Sequence, residues 1–333
     1  MPFTVLWPAV RWSDDRAIEI SSLDNRGTAV FTECFDTVTD AQWAACDAIV
    51  SFKDIPEAHR HKLKNCKILV TSKVGFDNLD ISYWGKAGVP VCNVPDYGTK
   101  DVADHAIALM LALMKGISFH TRELKNDPQG NWRPMLNPYG KRLSACHFGV
   151  VGLGRIGTAT ALRAKAFEMQ VSCYDPYIEN GSELALGIDR VRSLTELFQR
   201  CDVVSVHVPL SATTTGLINR DVLSHSKEGL MLINTARGPV VDLTALHNAL
   251  QSNTVQAAGL DVLDTEPADP EHPLIKAWSD NEPWIDNRLL ITPHSAFCTP
   301  ESMHDMRFKA GQVAIEYLTE GRLQNCVNQD LLN

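Results

Sequence analysis

Residues 150–177 read VVGLGRIGTATALRAKAFEMQVSCYDPY. An apolar run enters the turn Gly152-Leu153-Gly154-Arg155-Ile156-Gly157, an amphipathic stretch leaves it, and a second apolar run ends on Asp175. Strand, glycine turn, helix and strand in that order make a β–α–β unit of a parallel sheet. Gly152 permits the tight turn, Gly154 lets main-chain N–H groups approach a pyrophosphate, and Gly157 lets helix and strand close on each other. The helix N-terminus at Arg155 and Ile156 adds a dipole that favours phosphate. Asp175 can accept hydrogen bonds from ribose hydroxyls and would repel a 2′-phosphate. No Lys or Arg follows it within DPYIEN, so the site reads as one for NAD(H) rather than NADP(H).

Such a signature more often opens a protein, and its position in mid-chain constrains the architecture. Before it, TVLW 4–7, DAIVSF 47–52, KILVTS 67–72 and VPVCNV 89–94 read as strands, with helical patterns near 13–24, 56–65 and 80–87. The stretch 98–116 reads as a helix with Thr99 as N-cap and Gly116 as stop, apolar almost all round and therefore buried at a boundary. Residues 117–146 are polar and turn-rich, an excursion in which Trp132 and Met135 read as anchors of the loop. Six further strands follow from His147 (HFGVVG, VSCYD, DVVSVHVP, GLMLINTA, TVQAAGLDV, RLLITPH), and residues 300–321 form a last amphipathic helix that returns to the first domain. The expectation is an α/β protein of two doubly wound parallel sheets with a cleft between them. One domain, 1–99 and 295–333, is flavodoxin-like and binds substrate. The other, 100–294, is a Rossmann domain for NAD and is inserted into the first.

At 333 residues the chain suits two domains of roughly 100–200 residues each. A formal charge of −9 argues against nucleic acid or an anionic membrane as partner, since both require basic faces. Nine scattered cysteines without a C-x-x-C pair fit reduced thiols. The N-terminus has no basic start followed by an apolar run, and a cytoplasmic protein is expected. His59 and His61 lie in a helical pattern with no third ligand in view, so no metal is expected. His105 reads as structural.

Arg237, Glu266 and His294 each fall just past the carboxyl end of an expected strand, the rim where open α/β sheets hold ligands. Reduction of a 2-keto acid needs a cation for the carboxylate and an acid for the carbonyl oxygen. A guanidinium meets the first need with two parallel hydrogen bonds, and an imidazole the second. Glu266 is the expected partner of the His294 ring.

The runs VGFDNLD, VGLGRIG, NTARGPVVD, GLDVLDTEP and TPHSA, in this order, resemble the D-isomer-specific 2-hydroxyacid dehydrogenase family over almost the whole chain. NVPDYGTKDVADHA and EPADPEHPLIKAWSDNEPWIDNRLLITPHSAF are most similar to the branch of C-terminal-binding-protein-like dehydrogenases. The resemblance implies Arg237 as substrate anchor, His294 as acid/base and Glu266 as its partner. It also implies main-chain contacts from Val74 and Gly75 to the substrate carboxylate, with Asp261 near the nicotinamide. Thr99, Val208, Pro209, Thr214, Thr235 and Ala236 would line the cofactor, and the chain would form a homodimer. Lys73 stands where relatives more often carry a small residue, and Phe297 where corepressor-type members carry tryptophan; both are candidate substrate contacts. The expected activity is the reversible, NAD-dependent reduction of a small 2-keto acid to its D-2-hydroxy acid. The alternatives are an NAD(H)-sensing interaction protein of the C-terminal-binding type, or a phosphite- or formate-type dehydrogenase.

Overall fold

The structure, a computed structural model, describes residues 2–332. The chain divides into two compact units, residues 1–98 with 298–333 and residues 99–297. The second unit thus runs three residues past the expected boundary at 294. Its C-terminal edge is held there because the Asp261 carboxylate accepts hydrogen bonds from the main-chain N–H groups of Ser295 and Ala296.

In the first unit, β1 (Phe3–Pro8), β2 (Gly27–Thr32), β3 (Ala48–Val50), β4 (Ile68–Val70) and β5 (Val91–Cys92) form a parallel sheet in the order β2-β1-β3-β4-β5. This is the flavodoxin-like order. The strands β3 and β4 are buried throughout, as a sheet covered on both faces requires. β2 lies at the edge, where GTAVFT needs no continuous apolar run, and so it carries no strand pattern legible in the sequence. The helix Pro300–Glu320 belongs to this unit, burying Met306, Ala310, Val313, Ala314 and Ile315. Its Arg307 pairs with the buried Glu19 at 2.6 Å and with Asp14 at 2.6 Å. The Arg307 guanidinium holds the Asp14 carboxyl down at about 2.

In the second unit, β6 (His147–Val151), β7 (Gln170–Tyr174), β8 (Asp189–Arg190), β9 (Val203–Val206), β10 (Leu230–Asn234), β11 (Val255–Leu260) and β12 (Leu289–Ile291) form a parallel sheet. Their order, β12-β11-β10-β9-β6-β7-β8, is doubly wound about β6. The sequence pattern shows six of these strands. The seventh, β8, is a two-residue edge strand with one charged side chain next to another, and it leaves no apolar signal.

The helix Thr99–Lys115 buries Ala103, Ala106, Ile107, Leu109, Met110, Leu113 and Met114 in this unit. Each large side chain among them contributes about 1.5–3 kcal/mol on full burial. Thr99 is the first helical residue, yet its hydroxyl finds no hydrogen-bond partner, so it does not cap the helix as expected. The segment 117–146 is not all turn: Ile117–Asn126 is a second helix, set off at Gly116 by a bend of 51°. Trp132, expected as an anchor, is 80% exposed. No single helix among the described residues is long and apolar enough to cross a membrane.

Candidate active site

The register of the second sheet sets the site in a row. Tyr174, Val151, Val206, Asn234, Leu260 and Ile291 are paired neighbours across six adjacent strands. Parallel strands end on the same side, so the residues just beyond this row converge on one rim. Asp175, Gly152, His207, Arg237, Asp261 and His294 all lie one to three positions past it.

On the β6–β7 half, Gly152 has φ of +89°, a conformation rarely open to other residues, and a Cβ there would come within 2.8 Å of the His207 carbonyl oxygen. At Gly157 a Cβ would meet the Gly152 carbonyl oxygen at 1.9 Å, which is how helix and strand come so close. Gly154, by contrast, faces open space at the N-terminus of the helix Arg155–Ala166 and offers no side-chain cap to it. The first N–H groups of a helix have no intrahelical partners, and at this glycine turn no side chain crowds them, the arrangement that suits a pyrophosphate. Asp175 Oδ2 accepts from Leu153 N at 2.8 Å and Oδ1 from Tyr177 N at 2.8 Å. Each oxygen keeps a lone pair for a ribose hydroxyl. Arg190, on β8, donates to the Asp175 carbonyl oxygen at 2.7 Å. The sequence reading missed this cation because a strand pairing, not chain proximity, brings it there.

Beyond β9, burial pushes His207 down to about 3, so its ring is neutral near pH 7, where it shares a 2.8 Å hydrogen bond with Ser205. Val208 follows, and the Thr214 hydroxyl closes the loop by donating to Pro209 O at 2.6 Å. The hydroxyl of buried Thr235 has no partner in the protein. An orphaned hydroxyl at the end of β10, on the same rim of the sheet as the glycine turn, fits a bound polar group, and the set as a whole fits a dinucleotide.

On the β10–β12 half, Asn234 stitches the turn that carries Arg237: its Oδ1 accepts from Ala236 N, and its Nδ2 donates to Arg237 O, both at 3.0 Å. Arg237 Nη1 donates to Ala236 O at 2.7 Å. The next residue, Gly238, touches the main chain of Leu263 and Asp264, so the Arg237 turn and the Glu266 loop are packed together. Glu266 Oε1 accepts from Leu263 N at 3.1 Å and Oε2 lies 2.7 Å from His294 Nδ1. Both side chains remain about 40% exposed. Phe297 stands edge-on to the His294 ring, with centroids 6.4 Å apart. Asn234 and Gly238 lie inside the NTARG run, but their work is done through main-chain contacts that no residue pattern announces.

Asp261 is 1% exposed and accepts from Thr292 Oγ1 at 2.6 Å as well as from Ser295 N and Ala296 N at 2.9 Å. Its place is beneath the His294 turn. Lys73, Val74 and Gly75 lie in the first unit, beyond β4, where Lys73 Nζ donates to Asn78 Oδ1 at 2.7 Å. His59 pairs with Asp36 at 3.2 Å and stacks on Trp43. Among the described residues no group of three or more His, Cys, Asp or Glu side chains is set to hold a metal.

A Rossmann sheet with a phosphate cradle on one half of its rim and an Arg–Glu–His set on the other defines a dinucleotide-binding domain with a second ligand's chemistry beside it. Residues 107–296 match the family model of the D-isomer specific 2-hydroxyacid dehydrogenase NAD binding domain. The chain belongs to this family, whose members are oxidoreductases of 2-hydroxy acids, and its second unit is the NAD-binding domain. It is 36% identical to a glyoxylate reductase of Thermofilum pendens over 271 residues, 80% of this chain and 76% of that one. Against a D-3-phosphoglycerate dehydrogenase of Archaeoglobus fulgidus it is 36% identical over 265 residues, 80% of this chain but 48% of the relative, so it spans about half of that protein's length. The solved NADPH-dependent glyoxylate/hydroxypyruvate reductase of Sinorhizobium meliloti, in complex with NADP and malonate, superposes with a TM-score of 0.82 at 27% identity, covering 98% of this chain and 97% of that one.

Proposed function

We propose that this chain is an NAD-dependent oxidoreductase that interconverts a small 2-keto acid and its D-2-hydroxy acid. The observation that carries the reading is the 2.7 Å pairing of His294 Nδ1 with Glu266 Oε2, in a loop packed against the turn that presents Arg237. Arg237 supplies a planar fork for the substrate carboxylate. Glu266 fixes the imidazole by Nδ1, which leaves Nε2 as the atom that gives a proton to the carbonyl oxygen in reduction and takes it from the hydroxyl in oxidation. When bound, the nicotinamide exchanges the hydride. The main chain at Gly154, Arg155 and Ile156 would hold its pyrophosphate and Asp175 its adenosine ribose, with Val208, Pro209, Thr214, Thr235 and Ala236 along its length.

A panel of 2-keto acids, glyoxylate first, assayed by NADH oxidation tests this activity. Consumption of NADH with a subset of them supports it. No turnover with any keto acid, with turnover of phosphite or formate instead, overturns it. The same reading extends to a homodimer: Ile117, Trp132 and Leu136, all in the segment 117–146, are large apolar side chains exposed by 57%, 80% and 94%. Light scattering that gives a monomer near 36.8 kDa at micromolar concentration contradicts it.

A further inference from the structure

His294 has φ of +52°, a left-handed conformation that residues other than glycine adopt only when their surroundings enforce it. Its turn is enforced from below. His294 N donates to the Asp261 carbonyl oxygen at 2.8 Å, and the next two N–H groups, of Ser295 and Ala296, donate to the Asp261 carboxylate. The same carboxylate takes a 2.6 Å hydrogen bond from Thr292 Oγ1, and that hydroxyl lies 3.0 Å from His105 Nε2.

The protons can be assigned. An ionised carboxylate only accepts, and a threonine hydroxyl has one proton. With that proton on the bond to Asp261, the Thr292 oxygen can only accept from His105, so His105 Nε2 is the donor. A direct approach of His105 to Asp261 is longer, at 3.7 Å. His105 lies on the buried helix Thr99–Lys115, which makes it a fixed point from which the chain His105, Thr292, Asp261 runs to the main chain of the His294 turn.

We infer that His105 is a positioning residue for His294, acting through Thr292 and Asp261 and not on the substrate. The inference rests on His294 as the acid/base, as proposed above. Without the His105 donor, the Thr292 hydroxyl is free to turn away, the buried carboxylate loses a donor and the turn loosens. A misplacement of about 1 Å in a catalytic group is enough to cost on the order of 10²-fold in rate.

The test compares His105→Leu with His105→Gln, whose amide can put an N–H where Nε2 stands, and Thr292→Val with Thr292→Ser. The Leu and Val variants are expected to lose about tenfold or more in kcat, with the NADH dissociation constant and Tm little changed, and to speed amide hydrogen exchange across residues 289–298. The Gln and Ser variants are expected to recover most of both, and the Leu/Val double variant to be no worse than either single one. Wild-type kcat in His105→Leu, a Gln variant no better than Leu, or additive losses in the double variant would overturn the inference. If instead His294→Ala keeps its activity, it is the assignment of the acid/base that fails, and the hydrogen-exchange comparison still decides whether His105 holds the turn.

Discussion

Gly238 and Leu263 are in main-chain contact: a Cβ on Gly238 would come within 1.8 Å of the Leu263 carbonyl oxygen and 2.4 Å of Asp264 N. Backbone on that side cannot yield as a flexible side chain could. The closeness is what sets Arg237, one residue before, beside the loop that carries Glu266. Gly238→Ala is therefore expected to push the two loops apart and lower kcat/KM for keto acid by about 10²-fold or more, while NADH still binds. Steady-state kinetics with a fluorescence titration of NADH checks this; kinetics equal to the wild type would show that the two loops need not touch.

The proposed preference for NADH over NADPH rests on Asp175, whose carbonyl oxygen accepts from Arg190. Removing the carboxylate in Asp175→Ala removes the repulsion of a 2′-phosphate and keeps the Arg190 guanidinium that donates to the main-chain oxygen of the same residue. The ratio of kcat/KM for NADPH to that for NADH is expected to rise by at least about tenfold, and to fall back in Asp175→Ala/Arg190→Ala. Equal use of both cofactors by the unaltered protein would remove Asp175 from this role.

How far the sequence reaches is visible in these residues. The glycine turn, the buried strands and the Arg, Glu and His positions are legible because each needs a residue type at a spacing, whatever the rest of the chain does. The edge strands β2 and β8 are not, because an edge has one partner and tolerates polar residues. Arg190 and Thr292 are missed for a related reason: they reach the site through pairing across strands. Thr99 is a cap by residue type alone, and the structure leaves its hydroxyl unpaired. Lys73, a candidate substrate contact by its place in the sequence, donates to Asn78 in the same loop, a contact that no residue pattern announces.

Acid stability has a local marker in the first unit. Arg307 holds the Asp14 carboxyl at about 2, below its ordinary value of 3.8. A depressed carboxyl stabilises the folded state fully above the unfolded value, and that contribution disappears as the pH falls through the folded one. The Tm difference between the wild type and Asp14→Asn is thus expected to be constant above about pH 5 and to close between about pH 4 and 2. A gap independent of pH would mean that the Asp14 ion pair contributes nothing to folding. Asp14 is half-exposed, so the gap should be small.

In the proposed reaction His294, held by Glu266, exchanges the proton with the substrate oxygen. Single-turnover reduction of the best keto acid by His294→Ala, loaded with NADH, measures this most directly because it separates the chemical step from binding. A loss of about 10²-fold or more in that step is expected, with NADH affinity within about twofold of the wild type. A His294→Ala protein that reduces keto acid at a near-normal single-turnover rate would contradict it.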